Sequence, residues 1–219
     1  MAKLIKIQAL SAKLETTQGT AVIPTATDYL YGWDISIKPT VEILEKDFTR
    51  NYLDTIPSAV GAISYELTFK TELKGSGNTG SIYAPLDALL LACGFTGSVA
   101  TSTVTYTPIS AAPSANYLGA GKSATIEVIT DGLRHKLTGG VGSAKFTFDA
   151  HKIPYIEFKM KGLYNAGADS ASMPTQTINE TLAYPVQLGT LSISGSTAHV
   201  ASKLEVDMGN QIAQIDDVT

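Results

Sequence analysis

The 219-residue chain has one cysteine, one tryptophan, little charge and no long apolar run. The lone thiol, Cys93, excludes an internal disulfide framework and any multi-cysteine zinc site. No stretch reaches the ~18 apolar residues of a membrane-spanning helix. Met1 to Leu14 carries Lys3, Lys6 and Lys13 and has no apolar run long enough for a secretory leader. Charged residues make up 16% of the chain, against ~25% in an average domain. A basic surplus is missing as well: 16 Lys and Arg face 20 Asp and Glu, for a net charge of −4. A protein that grips nucleic acid through phosphates needs a basic face, and this composition gives no sign of one. Hydrophobic residues, at 44%, suffice for a core and exclude wholesale disorder.

What the sequence does have is punctuation and alternation. Nineteen glycines and nine prolines separate short segments of period two, the pattern of strands with one buried and one wet face. Over Ala62 to Leu73, residues Ile63, Tyr65, Leu67, Phe69 and Leu73 fall on one face. Ser64, Glu66, Thr68, Lys70 and Glu72 fall on the other. Trp33, Ile35 and Ile37 alternate with Asp34, Ser36 and Lys38. Pro39 then predicts a bulge or an edge strand, and Val41 and Ile43 resume the pattern. Asp131-Gly132 between two alternating runs predicts a hairpin, because both turn positions favour positive φ. Ala144, Phe146 and Phe148 form a further apolar row. Ile156, Phe158 and Met160 form another, opposite Tyr155, Glu157, Lys159 and Lys161. Weaker strand patterns run from Leu188 to Ile193 and through Leu204, Val206 and Met208. One helix is predicted over 84–94, with Pro85 in its first turn and Gly94 at its end. Its broad apolar stripe predicts burial against a sheet. Segments 1–28, 45–60 and 164–185 read as an N-terminal arm and two long loops, and 210–219 as a tail. Unstructured connections this long are uncommon unless they are functional or ordered by a partner.

Motifs that resemble catalytic or cofactor chemistry fail on context. Gly75 to Gly80 fits G-x-G-x-x-G, but the preceding strand has a full polar face, whereas a central parallel strand is apolar on both. No acidic residue lies ~20 positions on to hold a ribose. Gly119-Ala120-Gly121-Lys122-Ser123 resembles the end of a phosphate loop. The position of that loop's first glycine is Asn116, and Ser123 leads into a strand rather than a helix. His135, His151 and His199 form no metal-binding spacing, and His135 reads as a partly buried structural histidine. No nucleophile elbow or catalytic cysteine signature is present. Asn179-Glu180-Thr181 is a glycosylation sequon without a secretory context. These readings predict no enzyme activity, no cofactor and no metal.

Four segments, in order, resemble the tail tube proteins of tailed bacteriophages. Lys13-Leu14-Glu15-Thr16-Thr17-Gln18-Gly19-Thr20 is similar to the family's K/R-x-E-T-x-x-G-T opening. The Gly75 to Gly80 loop follows. Pro85 to Phe95 resembles its P-x-x-x-L-L-x-A-C-G-F helix. Gly142 to Leu163 resembles its paired strands G-x-A-x-F-T-F and I-P-x-I-E-F-x-M-x-G-L. The resemblance implies a mainly β fold over 1–219: an antiparallel β-sandwich or barrel-like domain with one flanking helix and long loops or arms. It implies hexameric rings stacked into a hollow tube that conducts DNA, with inner strands of six subunits joined into one barrel around the lumen. Partners would be further copies of the chain and other tail proteins: a tape measure, a terminator, a baseplate and, in a contractile tail, a sheath. DNA would pass without specific binding, no membrane would be engaged, and the site would be the virion tail, assembled in the host cytoplasm. Some relatives continue beyond the D-x-G-N at Asp207 to Asn210, so the chain is expected to be a short member or to lack a further domain.

On this reading the lumen is lined by strands with long polar faces: Trp33 to Leu44 with Ala62 to Leu73, and Ser143 to Asp149 with Pro154 to Lys161. The lumen-facing candidates are Ser64, Glu66, Thr68, Lys70, Glu72, Lys145, Thr147, Glu157, Lys159 and Lys161. The ring-to-ring candidates, on the loop from Glu45 to Ala59, are Glu45, Lys46, Asp47, Arg50, Tyr52 and Asp54. Alternatives are another ring-forming tube protein, such as a tail terminator or a bacterial contractile-secretion tube protein, and a carbohydrate-binding β-sandwich. Without the resemblance, the same strands suit an ordinary antiparallel sandwich whose polar face meets solvent.

Overall fold

Period-two alternation becomes a large antiparallel sheet. The computed structural model describes residues 7–46, 49, 51, 57–109, 122–169, 173–187, 191–193, 196–199 and 201–212. The main sheet is built from β1 (Gln8–Leu14), β2 (Tyr29–Leu30), β3 (Trp33–Leu44), β4 (Ala59–Glu72), β7 (Ala124–Thr130), β8 (Leu133–Asp149), β9 (Tyr155–Asp169) and β12 (Lys203–Asp207). Its order is β2-β1-β7-β8-β9-β4-β3, with β12 also paired to β8. The helix α1 (Ala84–Ala92) lies between β4 and a separate hairpin of β5 (Phe95–Val99) and β6 (Val104–Pro108). A second small hairpin joins β10 (Leu191–Ile193) to β11 (Ser196–His199).

The sheet has to curl. β2 and β3 stand at opposite ends of the strand order, yet only Tyr31 and Gly32 separate them in sequence. That link spans about 10 Å at most, so the two ends meet and the sheet becomes barrel-like. At the meeting point the Thr71 hydroxyl donates to the Tyr31 carbonyl at 2.7 Å. A side chain at Gly32 would collide with Leu10 of β1.

Bending β8 and β9 around this curve needs glycine. Register shifts between Thr138 and Val141, and Gly139 sits at φ +61°. A Cβ at Gly142 would strike the Lys159 carbonyl and the Met160 sulfur, and one at Gly162 would meet the Thr138 carbonyl at 2.6 Å. These positions form a corner where backbones approach too closely for side chains. The predicted Asp131-Gly132 turn is present, with φ values of 43° and 81°, and joins β7 to β8.

The core fills the inside of the curl. Tyr65, Leu67 and Phe69 of β4, Ile156, Phe158 and Met160 of β9, and Ile126 and Val128 of β7 share one cluster with α1. Phe69 stacks on Phe158 at 5.4 Å, and His135 is partly buried with its ring edge-on to Tyr65. Seven of the nine α1 residues are buried on all sides. The other two are Ala84 at the exposed start and Asp87, which accepts a hydrogen bond from Tyr106 of β6 at 2.8 Å. Cys93 follows directly, fully buried, and burial pushes its thiol up to about 12. That is too high for a thiolate nucleophile near neutral pH.

Two segments differ from the sequence reading. Part of the 1–28 arm is β1, buried between β2 and β7. Its Ala9, Leu10, Ser11 and Ala12 are covered on both faces, so no polar-apolar contrast marks it as a strand. The loop at 164–185 begins later than expected, because β9 continues to Asp169 against Leu133 of β8. From 179 to 184 its chain presents Glu180, Leu182 and Tyr184 outward and turns Asn179, Thr181 and Ala183 inward. Hydrogen bonds at Ala26, Gly75 and Lys152 strap it to the body.

Candidate functional site

Cross-strand register gathers the polar residues of four strands onto one outer face. Glu66 lies opposite Lys161, Thr68 opposite Lys159, and Lys70 opposite Glu157. Glu157 is in turn opposite Lys145 of β8, and Thr147 is opposite Tyr155. On the far side of β8, Lys145 faces Asp207 and Thr147 faces Glu205. On the far side of β4, Lys38 faces Glu66. Successive rows therefore set opposite signs beside each other, which favours the pairing and leaves no single-sign field. All ten residues singled out as lumen-facing lie on this surface or its register.

Eight of those ten reach solvent to some degree. Ser64 and Thr147 do not, at 6% and 2% exposure. Both are short, and each stands in the ladder between larger neighbours: Ser64 between Thr40 and Leu163, Thr147 between Tyr155 and Glu205. They belong to the face but are shielded by it.

Ion pairs fix the face at its two ends. Lys70 donates to Asp34 at 2.8 Å, and this hydrogen bond holds the Lys70 ammonium above its usual range. Lys70 also lies 5.8 Å from the ring centre of Tyr155, which packs edge-on to Trp33. At the other end Glu205 accepts from Lys203 at 2.8 Å and pairs with Lys145 at 3.2 Å. Those two lysines, Lys203 first, hold its carboxylate below the usual range. Such exposed pairs add little to stability; their use is to define a charge pattern.

The β3–β4 hairpin extends past the barrel, and its far half is exposed. Up to Tyr65 the core-side residues of the two strands pair as Ile37 with Leu67 and Pro39 with Tyr65. Val41 then pairs with Ile63, and a bulge follows, so that Ile43 meets Val60 rather than Gly61. The extra residue turns Val60 onto the apolar side. Val41, Ile43 and Val60 are 44%, 63% and 66% exposed, a stripe left uncovered among the described residues. Pro39, which has no N–H, sits in an edge strand as expected. Glu45 and Lys46 are exposed at the end of this hairpin. Asp47, Arg50, Tyr52 and Asp54 lie outside the described residues.

On the opposite wall a buried network ties the chain's first third to its middle. Glu15 is 2% exposed and its carboxylate accepts four hydrogen bonds, from Gly19 N, Ser123 Oγ, Thr125 Oγ1 and Gly139 N. Sequence reading took Glu15 only as part of a motif; the signal for its role is an acidic residue just beyond a strand of small side chains. Ser123 and Ala124 lead into β7, a strand, so the Gly119 to Ser123 segment opens no helix, and its first three residues lie outside the described ones. Nearby, Asp28 bonds Thr25 N and Thr25 Oγ1, both at 2.7 Å, and pairs with Lys13 at 3.0 Å. Burial alone would raise the Asp28 carboxyl, but these donors outweigh it and hold it below its usual value.

Among the described residues no group of three or more His, Cys, Asp or Glu is placed to hold a metal ion, and no helix is long and apolar enough to cross a membrane. Among the described residues, a partly open apolar hollow lined by Ile37, Leu67, Val128 and His135 has about 10 Å³ of room, enough for about one water molecule at most. What the surface offers is a broad face of mixed charge, open sheet edges and a projecting apolar hairpin. A family model described as Phage tail tube protein matches residues 6–219. No curated protein matches the chain.

Proposed function

Because the chain belongs to the phage tail tube protein family, we propose that its copies close into hexameric rings and stack into a hollow tube that conducts DNA out of the virion. The observation that carries this reading is the continuous mixed-charge face on β8, β9 and β4. Turned inward in a ring, such a face bounds a wet bore. Lysines alternate with carboxylates across it, so a passing phosphate backbone meets no basic stripe to hold it. Ser64, Glu66, Thr68, Lys70, Glu72, Lys145, Thr147, Glu157, Lys159 and Lys161 form the lumen wall, with Ser64 and Thr147 behind its surface.

The projecting hairpin carries the ring-to-ring contact. Its apolar stripe is unstable in water and gains by burial in an adjacent ring. The loop from Glu45 to Ala59 at its tip, with Glu45, Lys46, Asp47, Arg50, Tyr52 and Asp54, supplies the polar rim. The assembled tube would meet the tape measure inside and the terminator, the baseplate and any sheath at its ends and outer surface, in a virion tail put together in the host cytoplasm. Negative-stain microscopy of the purified full chain tests the reading. Annular or tubular particles are expected, and a chain that stays monomeric at high concentration defeats it.

A further inference from the structure

The run β12-β8-β9-β4-β3 is open at both ends. Among the described residues β3 pairs only with β4, and β12 only with β8. Every neighbouring pair in the run is antiparallel, and four reversals bring β3 and β12 back to one direction. Edge strands with free N–H and C=O groups are templates for pairing with another chain. Copies related by rotation about an axis on the charged side keep strand direction. β3 of one copy then arrives beside β12 of the next, running parallel to it.

The side chains of the two edges match. β3 places Ser36 and Lys38 on the charged face opposite Thr68 and Glu66, and Ile35 and Ile37 pack toward the core; a bulge at its start sets Trp33 opposite Lys70 and leaves Asp34, at φ 53°, reaching the same lysine on that face. β12 places Lys203, Glu205 and Asp207 opposite Asp149, Thr147 and Lys145. Its Leu204 and Val206 lie on the other side and remain 42% and 45% exposed. We propose that β3 of one copy pairs in parallel with β12 of the next, with Asp34 beside Lys203 and Lys38 beside Asp207. The proposal rests on the tube reading and names the seam within a ring.

This register sets Ile35 and Ile37 beside Leu204 and Val206 and covers that apolar edge. Other registers that keep polar beside polar differ by two residues. Sliding β12 toward the end of β3 leaves a single opposite-charge pair, Lys38 with Glu205. Sliding it the other way sets Asp34 beside Glu205, like against like. Opposite charges across strands stabilise and like charges oppose, so the proposed register is selected. Within one copy, Asp207 is level with Lys145, Glu157, Lys70 and the start of β3. Placing the next copy's Lys203 there staggers neighbours by roughly four residues, ~13 Å; a closed barrel with tilted strands requires a stagger between its strands.

Two variants of the full chain test the seam. In Lys38→Cys/Asp207→Cys, mild oxidation should yield a ladder of covalent oligomers on a non-reducing gel, while each single variant should not. The native Cys93 is buried and does not compete. Independently, Lys38→Glu and Asp207→Lys should each lower the assembled fraction at least ~10-fold, and the two combined should restore most of it. If wild-type chain forms neither rings nor tubes, the tube reading fails and the seam with it. If wild type assembles but no ladder forms, or the combined reversal does no better than either alone, the seam is wrong and the tube reading stands.

Discussion

The Glu15 carboxylate accepts a hydrogen bond from the Gly139 amide at 2.9 Å, across 124 positions of sequence. Gly139 lies at the corner where β8 bends, and Glu15 lies just past β1. One buried charge thus fastens the N-terminal segment, the entry to β7 and the corner of β8 together.

Truncating that carboxylate removes the acceptor of four donors, of which the Ser123 and Thr125 hydroxyls are buried and the Gly19 and Gly139 amides partly so. Hydrogen bonds to charged groups contribute about 1.5–3 kcal/mol each, and a stranded buried donor costs about 1–3. The losses overlap, so Glu15→Ala is expected to cost about 3–5 kcal/mol. Glu15→Gln should cost less, because its amide retains one accepting oxygen. Urea unfolding of both variants measures the difference; equal midpoints for wild type and Glu15→Ala would show that the network does not hold the wall.

Glycine tolerance should follow local crowding. Gly142→Ala puts a methyl group against the Lys159 carbonyl and the Met160 sulfur, whereas a Cβ at Gly75 meets nothing within 4 Å. Displacing backbone in a packed corner costs about 1–3 kcal/mol, and the open loop position should change by less than ~0.5 kcal/mol. Paired thermal melts of Gly142→Ala and Gly75→Ala check the ordering. A reversed order would mean that the β8–β9 corner is not tightly packed.

Asp28 gives a pH dependence of known sign. Its folded carboxyl lies below the ordinary value of 3.8, so the unfolded chain binds the proton more readily. The stabilisation is complete above about 3.8, declines as the pH falls below it, and is gone once the pH passes the folded value. Asp28→Asn should therefore be less stable than wild type at neutral pH, by about 1 kcal/mol for the lost charge-assisted bonds. The gap should close under acid. Denaturation midpoints recorded from pH 7 down to pH 2 test this, and a gap that stayed constant would assign the effect to packing instead.

Assembly and folding should separate at the hairpin. Val60→Asp alters an exposed residue, so monomer stability should shift by less than ~0.5 kcal/mol, while tube formation followed by light scattering should fall sharply. Charge reversal at Glu45 or Lys46 should also impair polymerisation, and reversal at Glu66 or Lys70 should have mild effects. Normal polymerisation of the hairpin and loop variants would remove the ring-to-ring role from this segment.

Local chemistry alone determined the strands from Trp33, from Ala62, from Ala124 and from Tyr155, the Asp131-Gly132 turn and the helix at Ala84; that β4 begins at Ala59, inside the expected loop, it did not. Each has an alternation of apolar and polar side chains, a helical apolar spacing or a backbone requirement that shows within a few residues. The polar row Glu66, Thr68, Lys70 and Glu72 was legible for the same reason. β1 was not, because Ala9, Leu10, Ser11 and Ala12 are covered on both faces and carry no periodic contrast. Nor were the shielding of Thr147, the turning of Val60 by a bulge, or the pairing of β12 beside β7's place on β8. Those depend on which strand lies alongside, and the curl that decides it comes from a two-residue link between Leu30 and Trp33. Sequence reports the environment each residue needs; only the curled sheet decides which distant residues provide it.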